Sequence, residues 1–238
     1  MNLSSNKLTL EDEKSRNILA SMKKLEVLYI NNNQITNLSC ISELKNLRRL
    51  YANGNSNTFN LKDIENLISN LLGLTISQTT LNTINECKVE NITQLYIYNS
   101  NITHLPDLSK FTELKILDVR GNNINNYEEI ENITSLTYLD ISNQGNRLHE
   151  NMIDFSKLTN LTNLNLSNNT LWSEDLENLK ALKNNTNLTI NLSNNSIIDA
   201  TALLELNLNT KINLSNNINL SQDSKDRLRA HFGNNVTF

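Results

Sequence analysis

The chain has 238 residues, 47 of them asparagine, and carries a formal net charge of −4 at pH 7. Nucleic acids and anionic membrane surfaces are bound by clustered Lys and Arg, so this charge balance argues against both as partners. No apolar run approaches the roughly 18 residues of a membrane-spanning helix, which argues against membrane insertion. Asparagine-rich chains are often disordered, but here Leu, Ile and Val recur at fixed intervals, which indicates an ordered repeat.

Residues 1–24 precede the regular pattern and allow two interpretations. The leucine and asparagine spacing in residues 3–8 matches part of one repeat, which indicates a partial first repeat. Alternatively, Ile18 and Leu19 lie on one face of a helix within residues 11–24 that acts as an N-terminal cap.

Residues 25–220 contain about nine copies of one motif. In residues 161–171 the spacing is L-x-x-L-x-L-x-x-N-x-L, the core of a leucine-rich repeat. One copy is a weak signal, but these copies account for nearly all of the chain. The asparagine position recurs at intervals of 21 to 26 residues, at Asn33, Asn55, Thr79, Ser100, Asn122, Gln144, Asn169, Asn195 and Asn217.

Each copy predicts one short strand followed by a turn. Because side chains alternate across a strand, every second apolar residue points inward and stacks on its equivalent in the next coil, forming a continuous core. The asparagine amide is expected to satisfy backbone groups of the turn. Thr79, Ser100 and Gln144 fit that position less well, so we expect their coils to be less regular.

The segments between strands differ with repeat length. Apolar residues spaced by three in residues 35–44 and 102–111 predict 3₁₀ turns. The longer repeats predict α-helices, one within residues 61–72 and one after Ser173, which we expect to be an N-cap with Glu174 in the first turn.

After Asn217 the motif stops, and residues 221–238 predict a C-terminal capping helix and tail. Ser221 is the expected N-cap and Gly233 the C-terminal stop. The elements together predict an α/β fold, a right-handed leucine-rich-repeat solenoid (horseshoe) with a parallel concave sheet and mixed 3₁₀ and short α-helices on the convex side.

Residues 33–47, NQITNLSCISELKNL, closely resemble the 22-residue repeat of internalins and of the related phosphatase-regulatory leucine-rich repeat proteins. Residues 122–136 and 195–209 resemble it with lapses, and the match covers roughly residues 25–220. The resemblance implies a horseshoe-shaped, non-enzymatic binder that holds a protein partner on its concave face. The usual internalin N-terminal cap and secretion signal are not recognisable in residues 1–24.

The outward positions of the predicted strands lie six, four and two residues before each asparagine position, and they form the natural binding surface of such an array. Five of the six tyrosines fall on outward positions, whereas Tyr127 takes an inward one. Tyr and Arg are enriched in interface hot spots. The predicted partner-binding residues are Tyr29, Tyr51, Tyr96, Tyr98, Asp118, Arg120, Tyr138 and Asp140. Alternatively, these ladders of tyrosine and polar side chains only stabilise an exposed parallel sheet.

The sequence predicts no enzyme activity and no cofactor. His104, His149 and His231 fall in separate coils or in the C-terminal cap, which argues against a metal or catalytic cluster. Asp118 and Asp140 are expected to be neighbours and have the chemistry of paired carboxylates. With Arg120 beside them, an ordinary surface charge cluster is the favoured interpretation.

The predicted function is a protein–protein interaction module that binds a protein or peptide. The alternatives are a structural or regulatory repeat segment of a larger protein, or a surface adhesin fragment lacking its export signal. Glu11, Asp12 and Glu13 do not suit a signal peptide, and Cys40 and Cys87, two coils apart, are expected to be free thiols. Both features favour a cytoplasmic location, or a secreted or cell-surface one if a signal was removed. The sequence leaves the oligomeric state open.

Overall fold

The structure is a computed structural model that describes residues 1–55, 60–77, 83–84, 86–144, 148 and 152–238. Thr79 and His149 therefore lie outside the described residues. The chain divides into two compact units. Unit 1 comprises Met1–Ser100 and Pro106–Ile116, and unit 2 comprises Asn101–Leu105 and Leu117–Phe238.

In its described residues, unit 1 contains four three-residue strands: β1 Val27–Tyr29, β2 Arg49–Tyr51, β3 Gly73–Thr75 and β4 Gln94–Tyr96. Each strand pairs in parallel with the next one along the chain. The central leucines of the four strands are opposite one another, and all of them are fully buried. The predicted inward ladder of this unit is therefore confirmed.

A helix, α1 Glu13–Ala20, precedes β1. Short helices between later strands of unit 1 are the 3₁₀ helices Ser39–Ile41 and Leu61–Ile64, and α2 Glu65–Ile68. The predicted 3₁₀ turn in residues 35–44 is confirmed. The predicted helix in residues 61–72 is mixed, a 3₁₀ turn followed by a single α-helical turn.

The N-terminal residues of unit 1 show features of both interpretations. Leu3 N donates to Tyr29 O (2.8 Å), and Tyr29 N donates to Met1 O (3.0 Å), so the first residues run beside β1 as a neighbouring coil does. Asp12 then caps α1 through its side chain, and Leu19 of that helix is buried. A partial coil and a helix are thus both present before β1.

Strand β5, Ile116–Asp118, begins with the last residue of unit 1 and continues into unit 2. The other strands of unit 2 are β6 Tyr138–Asp140, β7 Asn163–Asn165, β8 Thr189–Asn191, β9 Lys211–Asn213 and β10 Val236–Thr237. From β6 to β10 each strand pairs in parallel with the next. A one-residue change of register would expose the buried central residues, so this pattern fixes the alignment.

The helices of unit 2 are α3 Glu128–Glu131, the 3₁₀ helices Phe155–Lys157, Glu174–Leu182, Thr201–Glu205 and Gly233–Asn235, and α4 Gln222–Phe232. Among the helices of the described residues, none has the length and apolar character needed to cross a membrane.

The prediction of an α-helix capped by Ser173 is wrong. Glu174–Leu182 is a 3₁₀ helix, and Ser173 makes no side-chain cap at its start. The Ser173 hydroxyl instead accepts hydrogen bonds from the backbone N–H groups of Ile198 (3.2 Å) and Asp199 (2.9 Å). The physical reason is the spacing of the buried leucines at 176, 179 and 182, because side chains three residues apart share one face of a 3₁₀ helix.

The asparagine position satisfies backbone groups, as the sequence predicts. The Asn195 amide donates to the carbonyls of Leu166 (3.0 Å) and Leu192 (2.9 Å). Its oxygen accepts from the backbone N–H groups of Asn169 (3.0 Å) and Leu171 (2.9 Å). One side chain therefore ties its own turn to the preceding coil.

Residues 145–147 and 149–151 lie outside the described residues, so the less regular coil stays a prediction there, but Gln144 itself fills the same role as the asparagines. Its Nε2 donates to Val119 O (2.9 Å) and its Oε1 accepts from Ile124 N (3.2 Å). The longer side chain still reaches a carbonyl of the preceding coil because the coils lie only about 4.8 Å apart.

Within the described residues, the residue before an asparagine position is the one that turns the chain. At this place the backbone has a positive φ, at Asn32, Gly54, Asn99, Gly121, Asn143, Asn168, Asn194 and Asn216. Gly and Asn tolerate this left-handed conformation better than other residues do. Asparagine is therefore abundant for two reasons, the turn itself and the amide that follows it.

The C-terminal end of unit 2 is covered by α4 and β10. The Ser221 hydroxyl accepts from Ser224 N (3.2 Å) as the predicted N-cap, and Leu228 and Phe232 are buried. Gly233 ends the helix with a φ of 57°. The chain then returns as β10 beside β9, so the last apolar layer of unit 2 is not left open.

Candidate functional site

The structure divides the predicted partner-binding residues between the two units. Four lie in unit 1 and are named here the tyrosine cluster: Tyr29, Tyr51, Tyr96 and Tyr98. Four lie in unit 2 and are named the carboxylate cluster: Asp118, Arg120, Tyr138 and Asp140. All five tyrosines of these clusters are at least partly exposed, as their outward strand positions predict. Tyr127 is buried with 3% exposure, as its inward repeat position predicts.

The tyrosine cluster is built by stacking along the sheet. Tyr29 and Tyr51 are opposite one another on β1 and β2, and their rings stack with centroids 4.5 Å apart and planes at 5°. This spacing is close to the strand separation of about 4.8 Å. Tyr29 keeps 38% of its surface exposed, so the stack ends in an accessible aromatic face.

Tyr51 and Tyr96 lean towards each other across an intervening strand. Their strands, β2 and β4, both pair with β3, so the backbones lie about two strand spacings apart, roughly 9.6 Å. The ring centroids are only 5.9 Å apart. Thr75 is opposite both tyrosines in the register and has 0% exposure. The two rings therefore close over Thr75.

Side chains of β2 and β4 also close over β3 two residues earlier, at Gly73. Gly73 is buried, and a methyl group built on it would lie 3.2 Å from Arg49 Cγ and 3.4 Å from Gln94 Oε1. Side chains of β2 and β4 thus cover the small residues of β3. We call this arrangement the β3 slot: Gly73 and Thr75 form its floor, and Arg49, Tyr51, Gln94 and Tyr96 form its sides.

Sequence reasoning did not identify the β3 slot. The signal was present as two small residues, Gly73 and Thr75, at outward positions between strands that carry Arg, Gln and Tyr. Burial raises the pKa of the Tyr51 hydroxyl, with a smaller contribution from Tyr29. Tyr51 is therefore neutral and able to donate at physiological pH.

The carboxylate cluster is centred on one arginine. Arg120 Nη1 lies 3.2 Å from Asp118 Oδ2 and 4.0 Å from Asp140 Oδ2. Val119 N donates to Asp140 O (2.9 Å), so β5 and β6 are adjacent here and the predicted proximity of the two aspartates is confirmed. Arg120 remains half-exposed.

From the sequence, the two aspartates are expected to belong to a surface charge cluster, but the structure buries both of them. Asp118 is 3% exposed and Asp140 is 2% exposed. Outward-facing positions become buried here because larger neighbours cover them. The Tyr138 hydroxyl donates to Asp140 Oδ2 (3.4 Å), and Arg120 lies against both carboxylates.

Asp140 is held by protein donors on both oxygens. Its Oδ1 accepts from Ser142 N (2.9 Å) and from the Ser142 hydroxyl (2.6 Å). Its Oδ2 accepts from Asn165 Nδ2 (2.9 Å). A carboxylate with this many internal donors is typical of a structural anchor rather than of a general acid or base.

Burial raises the pKa of Asp118 to about 6, and Asp140 adds to the rise, while hydrogen bonding and the charge of Arg120 oppose it. Burial together with the two aspartates raises the pKa of Tyr138 to about 12. The cluster therefore carries one group that titrates near neutral pH.

Metal-ligating residues do not converge in the parts of the chain that the structure describes: no group of three or more His, Cys, Asp or Glu is placed to hold an ion. The two clusters offer aromatic surface, hydroxyl donors and the cation Arg120, and the β3 slot adds the cation Arg49.

Known structures share this fold. Internalin C2 of Listeria monocytogenes is 25% identical, with a TM-score of 0.64 over 83% of this chain and 84% of that chain. A leucine-rich repeat protein of Leptospira interrogans is 20% identical, with a TM-score of 0.55 over 100% of this chain and 83% of that one. Neither a family model nor a curated protein matches the sequence.

Proposed function

Because the chain is a leucine-rich repeat protein, a class of protein-interaction module, we propose that it binds a protein or peptide partner through its outward-facing tyrosines. The tyrosine cluster of unit 1 is the principal surface, and Tyr138 with Arg120 forms a second one on unit 2. No catalytic step is part of the proposal. The cytoplasmic location stays a prediction.

The observation that carries this proposal is the exposed, preorganised aromatic stack. Tyr29 and Tyr51 are held parallel by their strands, yet Tyr29 keeps 38% of its surface open. Rigid tyrosines lose little conformational entropy on binding and offer both apolar area and a hydroxyl. Such residues are typical interface hot spots.

The competing interpretation is that the tyrosines only stabilise the sheet through cross-strand contacts. The two interpretations differ in what alanine substitution changes. A binding tyrosine loses affinity when truncated and leaves the folded state intact, whereas a structural tyrosine lowers the unfolding free energy and leaves affinity unaltered.

The test uses the triple variant Tyr29→Ala/Tyr96→Ala/Tyr138→Ala and a matched control, Asn163→Ala/Thr189→Ala/Lys211→Ala. The control residues are the exposed first residues of β7, β8 and β9. Partners captured from extract are identified with wild type, and their affinity for each variant is then measured by calorimetry. We expect the tyrosine variant to lose at least about 2 kcal/mol, roughly 30-fold in Kd.

The control variant should bind as wild type does, and both variants should melt within a few degrees of it. A tyrosine variant that melts far below wild type yet binds every partner equally well would show that these residues are structural.

A further inference from the structure

We propose that the β3 slot of unit 1 is a subsite for a carboxylate-bearing side chain, Asp or Glu, of the partner. This inference rests on the proposed function and specifies the chemistry of the partner at one position. The slot is closed in the present structure by Tyr51 and Tyr96, and it opens when the Tyr96 ring turns away from Tyr51, which stays stacked on Tyr29.

The separation of the two strands that carry the sides of the slot suits the entry of one side chain. Its floor consists of Gly73 and Thr75, which contribute almost no volume above β3. Its sides stand on β2 and β4, about two strand spacings or roughly 9.6 Å apart. Partly exposed side chains change rotamer on the picosecond to nanosecond scale, so rotation of Tyr96 needs no backbone movement.

Thr75 is the first observation that points to a ligand. Its Oγ1 is buried and has no hydrogen-bond partner. By the strand register it lies on the same face as Tyr51 and Tyr96, directly beneath their rings. Buried hydroxyls are rarely left unpaired in native proteins, because a valine of the same shape would be more stable there. A ligand group that enters the slot supplies the missing partner.

Arg49 is the second observation. It is the one charged residue in strands β1 to β4, so this face of unit 1 carries a cation and no acid in its strands. Within the described residues, Arg49 has no carboxylate within ion-pair distance, whereas Arg120 and Arg227 both have one. Its aliphatic stem lies over Gly73, which places the side chain along the slot.

A carboxylate fits both observations at once. One oxygen can accept from the Arg49 guanidinium and the other from the Thr75 hydroxyl, with Tyr51 as a further donor. A cationic side chain would meet Arg49 with like charge. An apolar side chain would leave the Thr75 hydroxyl unpaired. Charge complementarity therefore selects an acidic side chain.

The test is a titration of the full chain followed by NMR of labelled threonine methyl groups and tyrosine rings. The probe is a capped glycine–glutamate–glycine tripeptide, compared with its glutamine counterpart. We expect millimolar binding of the glutamate peptide with shifts at Thr75, Tyr51 and Tyr96, and about tenfold weaker binding of the glutamine peptide.

Three variants sharpen the result. Arg49→Gln should remove the preference for glutamate, and Thr75→Val should weaken glutamate binding about fivefold. Thr210→Val is the matched control, because Thr210 is also fully buried with an unpaired hydroxyl but lies in unit 2, outside the slot. It should bind the peptide as wild type does.

Equal binding of the two peptides, shifts that avoid Thr75, or an equal loss in Thr210→Val would each overturn the inference. A protein partner that depends on the tyrosine cluster but binds Arg49→Gln and Thr75→Val normally would also overturn it, and the proposed function would then stand without the subsite. The peptide titration tests the subsite alone, and the tyrosine variant tests partner binding alone. Failure of the subsite can therefore be told apart from failure of the proposed function.

Discussion

At the scale of single residues, asparagine serves two positions that follow each other in every turn. The first adopts a positive φ, and the second uses its amide to bond two coils. Asn194 and Asn195 show the pair, with a φ of 56° at Asn194 and five hydrogen bonds between the Asn195 side chain and backbone groups. Neighbouring asparagines in this chain therefore have different physical roles and different expected tolerance to substitution.

Asn195→Ala should lower the unfolding free energy by about 1 to 3 kcal/mol, because it leaves buried N–H and carbonyl groups without partners. Asn187→Ala, at an exposed position, is the control and should stay within about 0.5 kcal/mol of wild type. Chemical denaturation of both variants measures the difference. Equal stability of Asn195→Ala and wild type would contradict the bonding role.

Thr170 is a strained residue next to this pair of positions. It follows Asn169 and has a φ of 54°, a conformation that β-branched side chains disfavour. Thr170→Asn should therefore raise the unfolding free energy by about 1 kcal/mol. Thr112→Asn is the control, since Thr112 is exposed without a positive φ, and it should give no gain. An equal effect of the two substitutions in thermal and chemical denaturation would disprove the strain.

At the scale of elements, the packing of adjacent strands sets the pKa of the buried Asp118. Asp118 on β5 and Asp140 on β6 share the charge of Arg120, and burial raises the pKa of Asp118 to about 6. The folded state then holds a proton that the unfolded state releases near pH 4. Stability from this group is full below about pH 4 and is lost as the pH rises through about 6.

Asp118→Asn should therefore be more stable than wild type at pH 7.5, by about 1 to 2 kcal/mol, and equal to it near pH 4. Asp154→Asn gives the opposite sign, because hydrogen bonds from Ser156 lower the pKa of Asp154. Asp154→Asn should therefore be less stable than wild type at neutral pH, and this difference should disappear in acid, where the wild-type carboxylate is protonated. Denaturation curves from about pH 2 to 8 measure both, because the Asp154 contribution is lost only as the pH falls below about 4. Parallel profiles for Asp118→Asn and wild type would refute the pKa assignment.

The connecting elements follow the apolar spacing more closely than the length of the repeat. Residues 174–182 were expected to form an α-helix because the repeat is long, yet leucines three residues apart produced a 3₁₀ helix. The Ser173 hydroxyl then serves the next coil instead of a helix terminus. In a repeat protein each connection packs against its neighbours, and this packing decides its pitch.

At the scale of the whole molecule, the repeat pattern predicted the fold well. Each unit is a stack of parallel strands with inward Leu and Ile, and unit 2 ends in α4 and β10. Similarity to internalin C2 of Listeria monocytogenes extends over 83% of the chain. The binding surfaces are proposals, because strand alternation predicts which side chains face outward but not which of them remain accessible.

The sequence by itself determined the period, the parallel strands, the inward ladder and the outward direction of five tyrosines. These features depend on local spacing, which repeats along the chain and needs no knowledge of distant contacts. Only the tertiary structure decided that Asp118 and Asp140 are buried and that Tyr51 and Tyr96 meet over Thr75. Those outcomes depend on how large side chains on neighbouring strands cover small ones, and residues from separate repeats come together only when the coils stack.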